Sequence, residues 1–153
     1  MRLTGLAWIV LGFMLWLPSA EAAAAKARLV KVLPHFIDRE GRVALSPSLY
    51  ERDAYQHQLR TRREERGGMV FEVQWKSREV LSLNLKVEMR GNRGKNATTA
   101  VLEQPVRSRG FFSTWSRITL KGDTYTQFGE LSAWRATLWD GDTMVAEQKS
   151  FLW

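Results

Sequence analysis

The sequence predicts a mainly β protein: a seven-stranded antiparallel sandwich with one helix inserted between the first and second strands. Three observations predict it. From Met69 onward apolar and polar residues alternate with a period of two, turn-forming clusters divide the alternating runs at short intervals, and one capped helical segment interrupts the pattern at about residues 46–66. Period two is the signature of a half-buried strand, because successive side chains point to opposite faces.

The first strand is expected over Arg28 to Ile37, with Leu29, Val30, Val32, Leu33, Phe36 and Ile37 as its apolar content. Pro34 cannot donate to a ladder, so this run reads as an edge or terminal strand that breaks near the proline. Asp38-Arg39-Glu40-Gly41 is a turn. The helix is expected over Leu49 to Glu65: Pro47 suits a first turn, Ser48 stands three residues before Glu51 at capping-box spacing, and Tyr55 and Leu59 share a face. Gly67 and Gly68 are expected to stop it.

In the second strand Met69, Phe71, Val73 and Trp75 alternate with Val70, Glu72, Gln74 and Lys76. In the third, Leu81, Leu83, Leu85, Val87 and Met89 form a wholly apolar face opposite a wholly polar one. A basic Gly-rich loop, Gly91 to Asn96, leads to a weaker strand, Thr98 to Gln104, ended by Pro105. A loop with Phe111 and Phe112 precedes a strand from Trp115 to Lys121, with Ile118 and Leu120 inward, and Gly122 to Glu130 is a corner. The last two runs, Leu131 to Trp153, form a hairpin about Asp140-Gly141-Asp142, since Gly takes φ > 0 freely and Asp tolerates it. Trp134 and Leu138 mark the core face of its first run, and the terminal Phe151-Leu152-Trp153 is expected to finish a soluble core.

The N-terminus reads differently. A positive start at Arg2, an apolar run from Leu6 to Leu17 and the A-x-A site Ala20-Glu21-Ala22 make a secretory signal peptide, 1–22, cleaved near Ala22. Its apolar run is short for a membrane span, though an uncleaved anchor stays open. A small-residue linker, 23–27, leads to the domain, 28–153. The 153-residue chain holds no cysteine, which excludes a disulfide framework, a thiolate metal site and a cysteine nucleophile. Export without cysteine fits a bacterial periplasm or cell surface. Arg2 and Glu21 cancel, so the net charge of +7 stays with the domain and points to acidic partners met outside the cytoplasm. Nucleic acid is not expected there.

In strand count and spacing, Arg28 to Trp153 resembles an immunoglobulin-like or fibronectin type III-like sandwich. The chain departs from antibody domains in lacking the cysteine pair and in carrying its early tryptophan, Trp75, on the second strand. What the resemblance implies is a binding or spacing role, by analogy of fold.

Catalytic and metal motifs are missing from the sequence, and no cofactor is expected. His35 is expected to be a locally hydrogen-bonded histidine, with orienting a loop or pairing with Asp38 as its alternatives, and His57 to be solvated on the helix. Asp140 and Asp142 lack a third carboxylate at calcium-ligand spacing.

Antiparallel succession of the strands gathers two sets of residues. One end collects Arg60, Arg62, Arg63, Arg66, Arg90, Arg93, Lys95 and Lys121 against Glu64, Glu65, Asp123 and Glu130: a candidate anion-binding end to which Gly91 and Gly94 admit backbone amides, or an ordinary solvated surface whose arginines pair with the nearby glutamates. The opposite end holds Arg107, Arg109, Phe111 and Phe112, a candidate protein-contact patch or a pair of core lids.

The functional expectation is an exported, non-enzymatic β-sandwich of structural or binding role in a bacterial cell envelope, meeting an acidic envelope polymer, an anionic lipid surface or another envelope protein. An enzyme acting on carbohydrate or peptidoglycan-like substrate is the alternative from another class. A small outer-membrane β-barrel is the third; the aromatic terminus suggests it, while Glu147 and Lys149 on the face of Phe151 and Trp153, and the odd strand count, oppose it.

Overall fold

The computed structural model describes residues 26–153; the expected signal peptide, its cleavage site and all but the last two residues of the linker lie outside the described residues. Seven strands form: β1 (Ala27–Asp38), β2 (Arg66–Ser77), β3 (Ser82–Arg93), β4 (Asn96–Arg107), β5 (Thr114–Lys121), β6 (Glu130–Asp140) and β7 (Thr143–Lys149). They make a three-stranded sheet, β1-β2-β5, and a four-stranded sheet, β4-β3-β6-β7, with every neighbouring pair antiparallel.

The two sheets share one core. Met69, Phe71, Val73 and Trp75 of β2 and Ile118 and Leu120 of β5 meet Leu83, Leu85, Val87 and Met89 of β3 and Ala136 and Leu138 of β6. These are the period-two apolar faces, and removing them from water is the main force joining the sheets. The Trp75 indole N–H donates to the Ser116 hydroxyl at 2.9 Å, so the largest buried ring brings no unsatisfied donor inside. Phe71 and Trp134 meet edge to face across the core, ring centres 6.4 Å apart.

The helix α1 (Leu49–Thr61) begins at Ser48, whose hydroxyl accepts the Glu51 N–H as its spacing predicts, and buries Tyr55, Gln56 and Leu59. It lies against the free edge of β1. There the Phe36 N–H donates to Gln56 Oε1 at 2.9 Å, while Gln56 Nε2 donates to the carbonyls of Phe36 at 2.9 Å and Val43 at 2.8 Å. One side-chain amide thus stands where a further strand would pair, which blunts an exposed sheet edge.

Several expectations are corrected. Gly67 and Gly68 do not stop the helix, which ends at Thr61 before a 3-10 turn at Arg63–Glu65. Both glycines lie inside β2, where side chains would collide: a Cβ at Gly68 would sit 2.4 Å from the Leu120 carbonyl oxygen. β1 does not break at Pro34, nor β4 at Pro105, because each strand is the outer one of its sheet and the missing N–H is not needed there. The loop expected over Gly91 to Asn96 shrinks to the two residues Gly94 and Lys95, and the corner after Lys121 is a short helix, α2 (Gly122–Phe128).

His35 does not pair with Asp38. Its Nε2 lies 3.7 Å from Glu72, beyond hydrogen-bond reach, and burial holds its pKa below the usual imidazole value. Asp38 instead accepts from Arg42 and from the Tyr55 hydroxyl at 2.7 Å. The terminal aromatics do not finish the core either. β7 ends at Lys149, Phe151 and Leu152 are exposed, and Trp153 lies outside the four-stranded sheet under the guanidinium of Arg90, 4.1 Å from its ring centre.

Candidate functional site

Strand direction sorts the connections to the two ends of the sandwich. One end carries the β1–β2 connection, the β3–β4 hairpin and α2; the other carries the β2–β3, β4–β5 and β6–β7 connections.

At the first end the predicted anion-binding residues separate into four groups. Arg66 is buried and serves the fold: its guanidinium donates to the Leu59 carbonyl, to the Arg60 carbonyl at 2.6 Å and to Glu130 at 2.7 Å, and lies 3.9 Å from the centre of the Phe36 ring. Arg63 shares Glu130, and Arg62 pairs with Glu65 at 3.0 Å, so their charges are already answered. Arg90 is carried on the outer face of β3 under Trp153, away from the hairpin turn. Arg60, Arg93, Lys95 and Lys121 are exposed and make no ion pair among the described residues. Gly91 adds no anion-binding backbone there, because it sits inside β3 against the Phe128 ring.

The second end is built more tightly. Its two crossovers between sheets are fastened together by Ser77 and Ser108, both buried, whose hydroxyls each donate to the Glu79 carbonyl. The Ser108 oxygen also accepts the Leu81 N–H at 2.8 Å, and the Ser108 N–H donates to the Leu81 carbonyl at 2.8 Å. From this base the chain turns at Gly110 (φ 74°), closed by a bridge between Arg109 and Phe112. Phe111 and Phe112 project from the turn with 83% and 75% of their surfaces exposed. Their reading as core lids is therefore corrected: a turn this short points both rings outward.

Beside the turn is a cleft of about 450 Å³ lined by Lys26, Ala27, Arg28, Lys76, Ser77, Arg78 and Phe111. Lys26 is paired with Asp140 at 2.8 Å, a contact that raises the lysine pKa. Arg28, Lys76 and Arg78 make no ion pair among the described residues. Arg28 and Lys76 are directly opposed in the β1–β2 register, an arrangement that costs stability because like charges face one another. No carboxylate or histidine lines this cleft.

Of the predicted protein-contact residues, Arg107, Arg109, Phe111 and Phe112 all fall at this end, and the first two are exposed cations. Sequence reasoning missed Lys26, Arg28, Lys76 and Arg78. Arg28 and Lys76 are 48 positions apart and become neighbours only through the register of β1 on β2. It also missed Val80 and Trp115, exposed at the same end; the period-two pattern puts Trp115 on the outer face of β5, and that signal was readable.

Among the described residues no group of three or more His, Cys, Asp or Glu side chains is placed to hold a metal ion, and no helix is long and apolar enough to cross a membrane. Compared with family models, with curated proteins and with solved structures, the chain finds no match in any of the three.

Proposed function

We propose that this chain is an exported, non-enzymatic binding module of a bacterial cell envelope, with immunoglobulin-like or fibronectin type III-like topology, which docks an acidic partner in the cleft beside Phe111. What supports the topology is the strand order. β2 lies beside β5 and β3 beside β6, as the second and fifth and the third and sixth strands lie in immunoglobulin-type sandwiches; the fourth strand has moved to the sheet of the third.

The observation that carries the binding reading is the uncompensated positive charge of the cleft. Arg28 and Lys76 face one another across a register where an acid would be stabilising, and Arg78 adds a third cation without an ion pair among the described residues. An anionic polymer would supply the missing counter-charge, and the Phe111 ring offers it an apolar wall. The enzyme alternative is less supported, since hydrolysis of a glycoside calls for two carboxylates flanking the bond and the cleft is lined by none.

The test is binding of the exported protein to dextran sulfate at low and high salt, beside an Arg28→Glu, Lys76→Glu, Arg78→Glu variant and an Arg93→Glu, Lys95→Glu variant of the opposite end. Binding that weakens with salt, is lost in the first variant and persists in the second is expected. Loss only in the second variant would move the site to the other end; equal binding by all three proteins would refute a defined site.

A further inference from the structure

We infer that the partner of this end is an anionic bilayer surface, into which Phe111 and Phe112 insert while the cations around them meet lipid headgroups. The inference deepens the binding reading above and rests on it. Cations alone would serve a soluble polymer. Such a polymer leaves Phe112 without a role, for that ring lies outside the cleft and is 75% exposed.

The tip has the form of an interfacial anchor. Two aromatic rings occupy adjacent positions at the apex of a turn, and Val80 of the neighbouring crossover is 60% exposed beside it, close enough that a Cβ on Gly110 would lie 3.9 Å from its Cγ2. Behind the rings stand Arg78, Arg107 and Arg109, exposed and with no ion pair among the described residues. The acids of this end are Glu79, Asp140 and Asp142, and Asp140 is taken up by Lys26. Apolar side chains ahead of a basic collar match the layering of a membrane surface, acyl boundary inside and anionic headgroups outside.

Rigidity completes the argument. The Arg109–Phe112 bridge and the Ser77 and Ser108 hydrogen bonds hold the tip in shape before contact, so insertion would not have to order a loose loop. A protein partner would also use exposed phenylalanines, but the collar of unpaired cations adds charge complementarity specific to an anionic surface.

The experiment is co-flotation of the exported protein with phosphatidylcholine vesicles with and without phosphatidylglycerol, and in parallel its binding to dextran sulfate. Wild type is expected on the phosphatidylglycerol vesicles and not on phosphatidylcholine alone. Phe112→Ser should weaken vesicle binding about tenfold, and Phe111→Ser with Phe112→Ser about a hundredfold, from the apolar surface each ring buries. Phe112→Ser should leave dextran sulfate affinity unchanged. Equal vesicle binding by wild type and both variants overturns insertion. So does failure of wild type to bind vesicles while it binds dextran sulfate, and there the cleft reading survives. Binding to neither overturns both.

Discussion

The hydroxyl oxygens of Ser77 and Ser108 lie 3.3 Å apart in the interior, and both reach the carbonyl oxygen of Glu79. Two crossovers that are 31 residues apart in sequence are thereby made one base for the Phe111 turn. Ser108→Ala removes the acceptor of the Leu81 N–H and leaves a part-buried donor unsatisfied, at a cost of about 1 kcal/mol. Urea denaturation is expected to show that loss, and amide exchange at Leu81 should accelerate in native conditions. An unchanged midpoint with unchanged exchange would mean the turn stands without the serine.

Arg66 and the pair Arg93 and Lys95 looked alike in the sequence and are opposite in structure. Replacing Arg66 with Met strips the Leu59 and Arg60 carbonyls of their side-chain donor and leaves Glu130 with Arg63 alone, and should destabilise the fold by about 3 kcal/mol. Replacing Arg93 and Lys95 with Ser should change stability by no more than about 0.5 kcal/mol. Thermal or urea unfolding of the two variants checks the contrast, and similar losses in both would refute it.

Gln56 stands as a substitute strand on the edge of β1. Gln56→Ala should cost about 1–3 kcal/mol by leaving the Phe36 N–H and two carbonyls without their partner. Gln56→Glu should be the worse change, because a carboxylate oxygen would then face the carbonyls of Phe36 and Val43. The exposed edge also becomes available for pairing between molecules, so light scattering at high concentration should rise in both variants. If Glu is tolerated better than Ala, the amide is not acting as a donor.

Asp38 sets a pH dependence. Burial by itself raises its pKa, but the Arg42 backbone N–H, the Tyr55 hydroxyl and the Arg42 guanidinium together lower it from 3.8 to about 2. A carboxylate depressed in the folded state contributes stability that is fully present above its unfolded pKa and is lost as pH falls through the folded one. The contribution is about 2 kcal/mol, flat above about pH 5 and vanishing between about pH 4 and 2. Asp38→Asn should therefore be less stable than wild type at pH 6, and the gap should close toward pH 2. Parallel pH profiles for the two proteins would show that Asp38 does not titrate with folding.

What the sequence by itself determined was the set of strands and the face that β2, β3, β5 and β6 turn to the core; the buried face of β7 stayed open. Alternation from Met69 to Met89 predicts the side chains that β2 and β3 turn to the core between the sheets, because a pleated strand sends alternate residues to one face; Val70, buried on the other face of β2, is the exception. The N-cap at Ser48, the Asp140-Gly141-Asp142 turn and the sorting of connections to two ends are local or topological facts and were equally legible. Neighbour relations were not. Pro34 did mark β1 as an edge strand, but that an outermost strand runs on through its proline, as β1 does at Pro34 and β4 at Pro105, was not legible. Whether an arginine is a free cation or a buried clamp depends on what reaches it: Arg66 differs from Arg93 only because the ends of α1 and β1 and the start of β6 converge on it. The opposition of Arg28 and Lys76 is a matter of register, and register is chosen by the whole sheet as it closes on the core. Hydrophobic pattern acts through each residue's own position, whereas pairing and charge act through distance in space, and that distance is set by the tertiary fold alone.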